Sequence, residues 1–572
     1  MKRKKRFIYL YTYLKIAKKM SSVFIRRRVS RREAIGTAAK VAIGVVVAGV
    51  VGGVAGYYAG AAAVPPSVKT ETVTRTVTST QTVTQTVTPS VTVTPTPTIT
   101  TVTTPKPTPT PTITTVTTPA PTPTITGPIT MYFEKGWYPE EDEARKWLAA
   151  MFKRETGIEL KITSLTQEDL LKKVVAGATA KSPPDVAFCT TLSWMQDYAW
   201  NGWIEDLSEF VDLLKDLEVP DWAINAWKWA DPTKKGLILA GVPFCVDNIP
   251  FHYWRDLLEE AGMPSDPNDI PMKFKEFSDF WKEAQDKLWQ KKPEYREKVY
   301  GIGWPSMGGI GVNPGDGLQQ FVHILLWHGW KLEWDSKGLI KLDTPENREA
   351  LRKAVRWFAE TYEAGYMPKG ILEWGSPDNN KAFHAKQIIS VHNGTMSIVM
   401  YWYGVDKEVY FKKTASLWRF PSETGERGAQ TWEVHSWIVF KDAPNKEAAK
   451  KFIKWFLQPE VINMYLKTTK GRFIPISRVV LEMDPFWREG HTNGGQYTDP
   501  HLPTAYEMYM KGPNFPNPQH WFNHPWSYLD AYPMQAVHKV VREKWSVDEA
   551  VDWAMKMWTD TIKKYQDEIR SW

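Results

Sequence analysis

The feature that most restricts folding is a tract of Thr, Pro and Val over residues 65–127, with stretches such as TVTPTPTIT. Proline blocks both helices and central strands, and this composition has too little apolar surface to form a core. We therefore expect an extended stalk that carries O-linked glycans. The folded part must lie in residues 128–572, which are too many for a single core.

A basic segment and an apolar run precede the stalk. Residues 1–40 contain 14 Lys/Arg and one Glu, and residues 41–64 contain no charged residue. An apolar run of this length can cross a bilayer of about 30 Å, and its basic flank predicts a cytoplasmic N terminus. The sequence SRREAI at residues 30–35 is similar to a twin-arginine export signal. We expect residues 41–64 to be a transmembrane anchor, or a signal peptide if cleaved, with the folded part outside the cell.

Charge is distributed unevenly along the chain. Residues 1–127 carry 17 Lys/Arg and 2 Asp/Glu, whereas residues 128–572 carry 55 and 62, a net charge of −7. A nucleic-acid-binding domain needs a basic folded surface, so no nucleic-acid partner is expected. His520 and His524 lack the further ligands that zinc requires, so we predict no metal site and no cofactor.

Residues 128–572 alternate between strand and helix patterns. Ile129–Phe133, Glu159–Ser164 and Pro184–Phe188 have the composition of strands, and Glu140–Thr156 has apolar residues at helical spacing. This repetition predicts an α/β fold with a parallel sheet, in which ligands bind beyond the carboxyl ends of the strands. The same patterns predict helices at Gln167–Ala176, Thr190–Glu209, Lys446–Leu457, Met534–Lys544 and Val547–Tyr565, and strands at Ser416–Phe420 and Trp437–Phe440.

Short motifs along this part resemble those of the family 1 extracellular solute-binding proteins, whose best-known members bind maltodextrins. They include FEKGW at 133–137, PDV at 184–186, VPF at 242–244, YWRDL at 253–257 and the Asn-Gly pair at 393–394. The resemblance implies a two-lobed periplasmic-binding-protein-like fold of type II, with discontinuous lobes joined by a hinge. The implied lobes are residues 128–242 with 430–475, and residues 247–420 with 476–572.

The resemblance also implies a function without catalysis. The protein would bind a sugar or oligosaccharide between its lobes and deliver it, as a monomer, to the permease of an ABC transporter. The 29 Trp residues suit a cleft lined with flat rings. Other hypotheses stay open: the same fold binding a peptide, polyamine or chelate, a secreted carbohydrate-active enzyme with two carboxylates at the bond, or a surface-layer or adhesion protein.

Candidate ligand-binding residues follow the predicted strands, where carboxylates, amides and rings would meet sugar hydroxyls and C–H faces. Glu134, Lys135 and Trp137 follow the first strand, and the resemblance makes Asp247 a ligand carboxylate. Thr190 and Trp194 begin the helix after the third strand, where backbone N–H groups are free. The remaining candidates are Trp304, Asp316, Trp374, Asn393, Trp402, Trp432 and Trp526.

The two cysteines follow strands that, in the resemblance, approach the cleft. We expect Cys189 and Cys245 to lie near each other, either as a disulfide or as two free thiols. Cys189 stands where maltodextrin binders of the family commonly carry a Trp, and Leu192-Ser193 replaces an Asp–Arg pair. At these positions the sequence departs from the family pattern and does not reproduce the maltodextrin-binding site.

Overall fold

The computed structural model describes residues 127–189, 194–247, 250–311, 314–336, 339–430, 432–512 and 531–572. The expected basic segment, membrane run and stalk lie outside the described residues, as do His520, His524 and the candidates Thr190 and Trp526. Within the described ranges, no helix is both long and apolar enough to cross a membrane.

Strands and helices alternate through the described residues. The strands are β1 Ile129–Glu134, β2 Leu160–Leu165, β3 Val186–Cys189, β4 Lys228–Asp231, β5 Gly236–Leu239, β6 Val242–Asp247, β7 Phe251–Trp254, β8 Tyr300–Ile302, β9 Glu333–Trp334, β10 Ile340–Lys341, β11 Ile388–His392, β12 Thr414–Leu417, β13 Glu433–Val439 and β14 Ile474–Pro475. The α-helices are α1 Pro139–Thr156, α2 Gln167–Thr179, α3 Met195–Trp200, α4 Val211–Asp216, α5 Asp221–Asn225, α6 Arg255–Ala261, α7 Phe274–Lys291, α8 Gly315–Trp327, α9 Pro345–Glu363, α10 Asp378–His384, α11 Ser397–Val405, α12 Lys446–Phe456, α13 Pro459–Thr468, α14 Arg478–Met483, α15 Phe486–Glu489, α16 Leu502–Lys511, α17 Tyr532–Val541 and α18 Val547–Arg570.

The first lobe is built on a six-stranded sheet with the order β14-β6-β13-β3-β1-β2. Strand β1 runs parallel to β2 and β3, as predicted, but β13 runs antiparallel to both β3 and β6. The expected parallel sheet is therefore only half right. The reason is the chain path, because β13 returns from the second lobe and enters the sheet at the edge where β1 and β3 end.

Local sequence explains where the first helix begins and ends. Pro139 occupies the first turn of α1, where a missing N–H costs nothing, and three acidic residues follow it. Gly157 ends the helix with φ of 75°, a left-handed conformation that glycine adopts without strain. The helix buries Leu148 and Phe152 against the sheet, as its apolar spacing predicted.

The second lobe contains a four-stranded sheet with the order β12-β7-β11-β8. The chain passes from the first sheet to the second between β6 and β7, and returns between β12 and β13. Helices α17 and α18 pack on α9 of the second lobe, so the C-terminal segment also belongs there. The predicted two-lobed α/β fold is confirmed; the exact lobe boundaries stay predictions.

Two predicted elements differ from the structure. In the described part of 190–209 the helix covers only Met195–Trp200, because Gly202 with φ of 67° ends it. Strand β13 begins four residues before the predicted Trp437, at Glu433. Its first residues include Glu433 and His435, which are polar although the strand is buried, so the apolar pattern does not predict this part of the strand.

Neutral histidines are built into the second lobe. Ser416 Oγ lies 2.7 Å from His252 Nδ1 and 2.7 Å from His501 Nδ1. Burial lowers the pKa of His252 to about 3 and the pKa of His384 to about 4. Both rings therefore stay neutral at pH values where a histidine in the unfolded chain, with a pKa of about 6.5, becomes protonated.

The His384→Gln variant is expected to lose less stability than the wild type when the pH falls from 7.5 to 5. The pKa of His384 is depressed in the folded state, so its neutral ring contributes stability above about pH 6.5, and this contribution is lost as the pH falls towards 4. Glutamine can replace the ring in its hydrogen bond with the Ile398 carbonyl (3.0 Å). The difference should reach about 1–2 kcal/mol at pH 5, measured by urea unfolding.

Carboxylates with raised pKa act in the opposite sense on the pH profile. Burial raises the pKa of Asp499, so its protonation stabilises the folded state as the pH falls. That contribution is the same in both proteins and cancels in the comparison. Parallel stability curves for wild type and His384→Gln would contradict the prediction.

Candidate functional site

A cavity of about 370 Å³, counted with its open mouth, lies between the two lobes. Most of its lining side chains are polar, and the rings are Trp137, Phe473 and His435. The first lobe contributes Glu134, Trp137, Gln167, Asp247, Glu433, His435, Arg472 and Phe473, and the second contributes Asp316, Ser376, Asn380, Asn393, Gly394, Thr395 and Ser397.

Arg472 links both lobes at the bottom of this cavity. Its guanidinium donates to Glu141 Oε2 at 2.7 Å, to Glu134 Oε1 at 3.3 Å and to Thr395 Oγ1 of the second lobe at 3.4 Å. Burial alone would lower the pKa of Arg472, but the carboxylates of Glu141 and Glu134 outweigh it and raise this pKa. The guanidinium is thus a fixed positive charge that forms ion pairs with both carboxylates.

Glu134 ends β1 and points into the cavity. Its side chain is 5% exposed, and Oε2 has no hydrogen-bond partner among the described residues. Burial raises the pKa of Glu134, although the nearby Arg472 opposes the shift. One carboxylate oxygen is therefore available to a ligand and has little access to water.

Strand pairing brings three ligating side chains together. Glu433 and His435 are two residues apart on β13 and face the same side, and Glu433 pairs with Asp247 of β6. His435 Nε2 lies 3.0 Å from Asp247 Oδ2, and the Glu433 N–H donates to Asp247 Oδ1 at 3.3 Å. Burial, with the Asp316 carboxylate, raises the pKa of Asp247 well above its usual range.

These three buried residues each offer one ligand atom within 4.8 Å of the others, so they could hold a divalent metal such as zinc. The sequence prediction of no metal site did not consider this set. His435 and Asp247 are 188 residues apart in the chain, and only the antiparallel pairing of β6 and β13 brings them together.

The second lobe presents Asp316 at the start of α8. Its carboxylate accepts hydrogen bonds from Ser376 Oγ at 3.3 Å, Asn379 Nδ2 at 3.3 Å and the Gly394 N–H at 3.4 Å. A Cβ atom on Gly394 would lie 2.8 Å from Asp316 Oδ1, so this close approach requires glycine. Burial raises the pKa of Asp316, and the three donors counteract part of the shift.

Some sequence candidates meet at the cavity and others do not. Glu134, Trp137, Asp247, Asp316 and Asn393 line it, and their roles as ligand contacts stay predictions. Asn393 is nonetheless buried, and its amide donates to the Thr395 carbonyl at 2.6 Å. Candidates that do not line this cavity are Lys135, Trp194, Trp304, Trp374, Trp402 and Trp432.

Several of the Trp candidates pack inside the lobes instead. Trp304 is fully buried and stacks on Trp357, with 5.2 Å between ring centroids, so it lies in the core of the second lobe, and its contact with a ligand stays a prediction. Trp432 is buried against Trp222 and Tyr509. The position of a Trp in a loop beside Gly or Pro therefore does not predict whether its ring is buried in the core or exposed.

The possible disulfide between Cys189 and Cys245 is not formed. Cys245 is a buried free thiol. Strand β13 lies between β3 and β6, so the two cysteine backbones are two strand spacings apart, roughly 10 Å. A disulfide needs Cα atoms within about 7 Å, and the intervening strand prevents that approach.

Sequence reasoning missed Glu433, His435 and Arg472. Arg472 left one signal, because a lone charge in the sequence GRFIPI at 471–476 stands directly before an apolar strand. A buried charge needs a partner, and this position therefore pointed to a carboxylate elsewhere in the chain.

Two lobes, each with its own sheet, joined by chain crossings and enclosing a polar cavity define the periplasmic-binding-protein class of fold. Solved structures of this class are similar over nearly their full length. A candidate oligosaccharide periplasmic-binding protein from Synechococcus sp. MITs9220 in complex with zinc has a TM-score of 0.60 and 13% identity, covering 77% of this chain and 100% of that one. A sugar transporter protein from Arthrobacter chlorophenolicus A6 with bound laminaribiose has a TM-score of 0.58 and 15% identity, covering 76% and 99%.

A solute-binding protein of an ABC transporter from Thermotoga lettingae TMO, bound with α-D-tagatose, has a TM-score of 0.56 and 18% identity, covering 76% and 99%. The family model described as bacterial extracellular solute-binding protein matches residues 147–504. The chain belongs to this family of extracellular solute-binding proteins. The predicted class of protein is confirmed, and its members bind solutes outside the cytoplasm.

Proposed function

We propose that the protein captures a sugar or oligosaccharide between its lobes and delivers it to the permease of an ABC-type uptake transporter. The observation that carries this proposal is the cavity lining. Carboxylates and amides such as Asp316 and Asn380 can bind hydroxyl groups, and the ring of Trp137 can cover a C–H face. Similar structures hold laminaribiose and tagatose.

The proposal includes the N-terminal region. Residues 41–64 anchor the protein in the membrane, and the stalk of residues 65–127 extends the folded lobes away from it. The uncharged apolar run and its basic flank support this arrangement. The protein acts as a monomer and releases its ligand unchanged. Recovery of the full-length chain in a detergent-free soluble extract would contradict the anchor.

One observation favours a different ligand class. Asp247, Glu433 and His435 form a candidate metal-binding set, and one similar structure is a complex with zinc. A metal or metal chelate is therefore the second candidate ligand. Zinc alone would then raise the melting temperature of the protein, and EDTA would reverse the effect.

Sugar binding is expected to raise the melting temperature of the full-length protein, since a ligand that binds only the folded state stabilises it. The panel consists of mono- and oligosaccharides, with amino acids, peptides and polyamines as controls. Trp137→Ala should weaken binding of the sugar that gives the largest shift by about 10-fold, since an aromatic contact contributes about 1 kcal/mol or more.

The matched control is Trp147→Ala. Trp147 is a partly buried ring on α1 that does not line the cavity, so its loss should leave the affinity unchanged. Chromatography of the sugar after incubation distinguishes binding from catalysis, because a binding protein returns the sugar intact. Equal losses of affinity in both variants, or cleavage of the sugar, would contradict the proposal.

A further inference from the structure

The cavity has more negative than positive groups. Four carboxylates line it, from Glu134, Asp247, Asp316 and Glu433, and Arg472 is the one Lys or Arg among the lining residues that the structure describes. Arg472 also pairs with Glu141 behind the cavity, so its charge is already shared. Residues 190–193, 248–249 and 431, which follow or precede cavity strands, contain no Lys or Arg.

Glu134 shows that this charge is directed at the cavity. The residue is 4% exposed, and its Oε2 finds no hydrogen-bond donor in the described part of the chain. Leaving a buried charged acceptor without a donor costs free energy, and the cost is greater than for a neutral group. A ligand that brings an N–H donor into the cavity would relieve this cost.

The carboxylates face each other across the two lobes. Asp316 belongs to the second lobe and Asp247 to the first, and both line the same cavity. Like charges brought together in a site with little water repel each other. Four carboxylates exceed the single guanidinium of Arg472, so a further positive group between the lobes would lower this repulsion.

We propose that the ligand carries a protonated amine, and that within the sugar class it is an amino sugar or a chain of amino sugars. Its ammonium group lies between Glu134 of the first lobe and Asp316 of the second, with Asp247 beside them. An ammonium group supplies several N–H donors and one positive charge, which matches an unpartnered carboxylate oxygen and opposing acids. The inference rests on the proposed sugar-binding function.

A metal ion would not meet the same requirement. The candidate metal set consists of Asp247, Glu433 and His435 and does not include Glu134 or Asp316. A zinc ion there would leave Glu134 Oε2 without a donor. The ring of Trp137 also suits an organic cation, because aromatic faces attract ammonium groups.

The test compares sugars that differ only in the amine. Full-length protein at pH 6, where the amines are protonated, is titrated calorimetrically with glucosamine and glucose, galactosamine and galactose, mannosamine and mannose, and β-1,4-linked glucosamine oligomers and cello-oligosaccharides of equal length. In at least one pair the amine should bind about 10- to 100-fold more tightly than its neutral partner, the range of a charge-assisted hydrogen bond.

Two variants test whether Glu134 and Asp316 cause the preference for the amino sugar over the neutral sugar. Glu134→Gln and Asp316→Asn keep similar shapes and remove one charge from each lobe, and each should reduce the amine preference by about 10-fold. Because the two residues lie on different lobes, failure of one variant to fold leaves the other to decide. Glu159→Gln is the control, since the Glu159 side chain is 52% exposed and should not affect the preference.

Each outcome decides the inference. Neutral sugars that bind as tightly as their amines would overturn it and leave the proposed sugar-binding function intact. A response to zinc or to linear polyamines alone, or no response to any compound, would overturn both. An amine preference that both cavity variants retain would overturn the assignment of Glu134 and Asp316.

Discussion

Replacing Arg472 with leucine is expected to lower the free energy of unfolding by about 3–5 kcal/mol, the usual cost of removing one partner from a buried ion pair. Arg472 is 4% exposed and holds both Glu141 and Glu134, whose side chains are 4% and 5% exposed. Without the guanidinium, both carboxylates lose their counter-ion in a site with little access to water. Urea unfolding at pH 7.5 measures the loss.

The cost should come mostly from the carboxylates that remain. The double variant Arg472→Leu/Glu141→Gln removes one of them, and we expect it to recover a measurable part of the lost stability. Arg478→Leu is the matched control, because Arg478 is 52% exposed and lies 3.8 Å from Glu482. An exposed pair of this kind contributes about 0–1 kcal/mol. Equal losses in Arg472→Leu and Arg478→Leu would contradict the structural role of Arg472.

The same arginine shows why the fold was easier to predict than the site. Helix α1 follows from the sequence around it, since Pro139 starts it, Gly157 ends it and the apolar spacing between them selects the buried face. Such signals are local, and they predicted the alternation of strands and helices, whereas the two-lobed architecture was implied by the resemblance to the solute-binding family. Arg472 instead donates a hydrogen bond to Glu141, which is 331 residues away in the sequence. A local sequence pattern cannot predict a contact between residues so far apart.

The residues of the candidate site also fall into two groups, those predicted from local signals and those brought together by long-range strand pairing. Glu134 and Trp137 were predicted because they follow a strand whose end was visible in the sequence, and both line the cavity. Glu433 and His435 were missed because they begin β13, an antiparallel strand. Its pairing with β6 depends on how the chain returns from the second lobe. Trp304 was predicted to contact the ligand because it lies in a loop beside glycine and proline. Such a position does not show whether a ring packs in the core.

Trp437→Ala is expected to cost about 3–5 kcal/mol of unfolding free energy, the range for removing a large aromatic side chain from a core. Trp437 is fully buried in the middle of the large sheet. Its ring stacks on Phe244 with 5.3 Å between centroids and meets Phe188 and Phe456 edge-on at 5.6 and 5.1 Å. Alanine would leave a cavity among rigid rings that cannot move together to fill it.

This ring also connects the core to the site. Glu433, His435 and Trp437 alternate along β13 and so lie on one face of the strand, with the two polar residues at the cavity and the ring in the core. The register of pairing with β6 shifts between His435 and Ser436, so Trp437 pairs with Val242 on one side of the shift and Glu433 pairs with Asp247 on the other. Trp437→Phe, which keeps a ring, should lose less stability than Trp437→Ala.

The matched control is Trp200→Ala. Trp200 is only partly buried and stacks on the terminal Trp572, with 5.8 Å between ring centroids. Its loss removes fewer packed contacts, and we expect it to cost about 1 kcal/mol. Urea unfolding of the three variants at pH 7.5 gives the comparison. If Trp200→Ala and Trp437→Ala cost the same, the large sheet does not depend on Trp437 for its core.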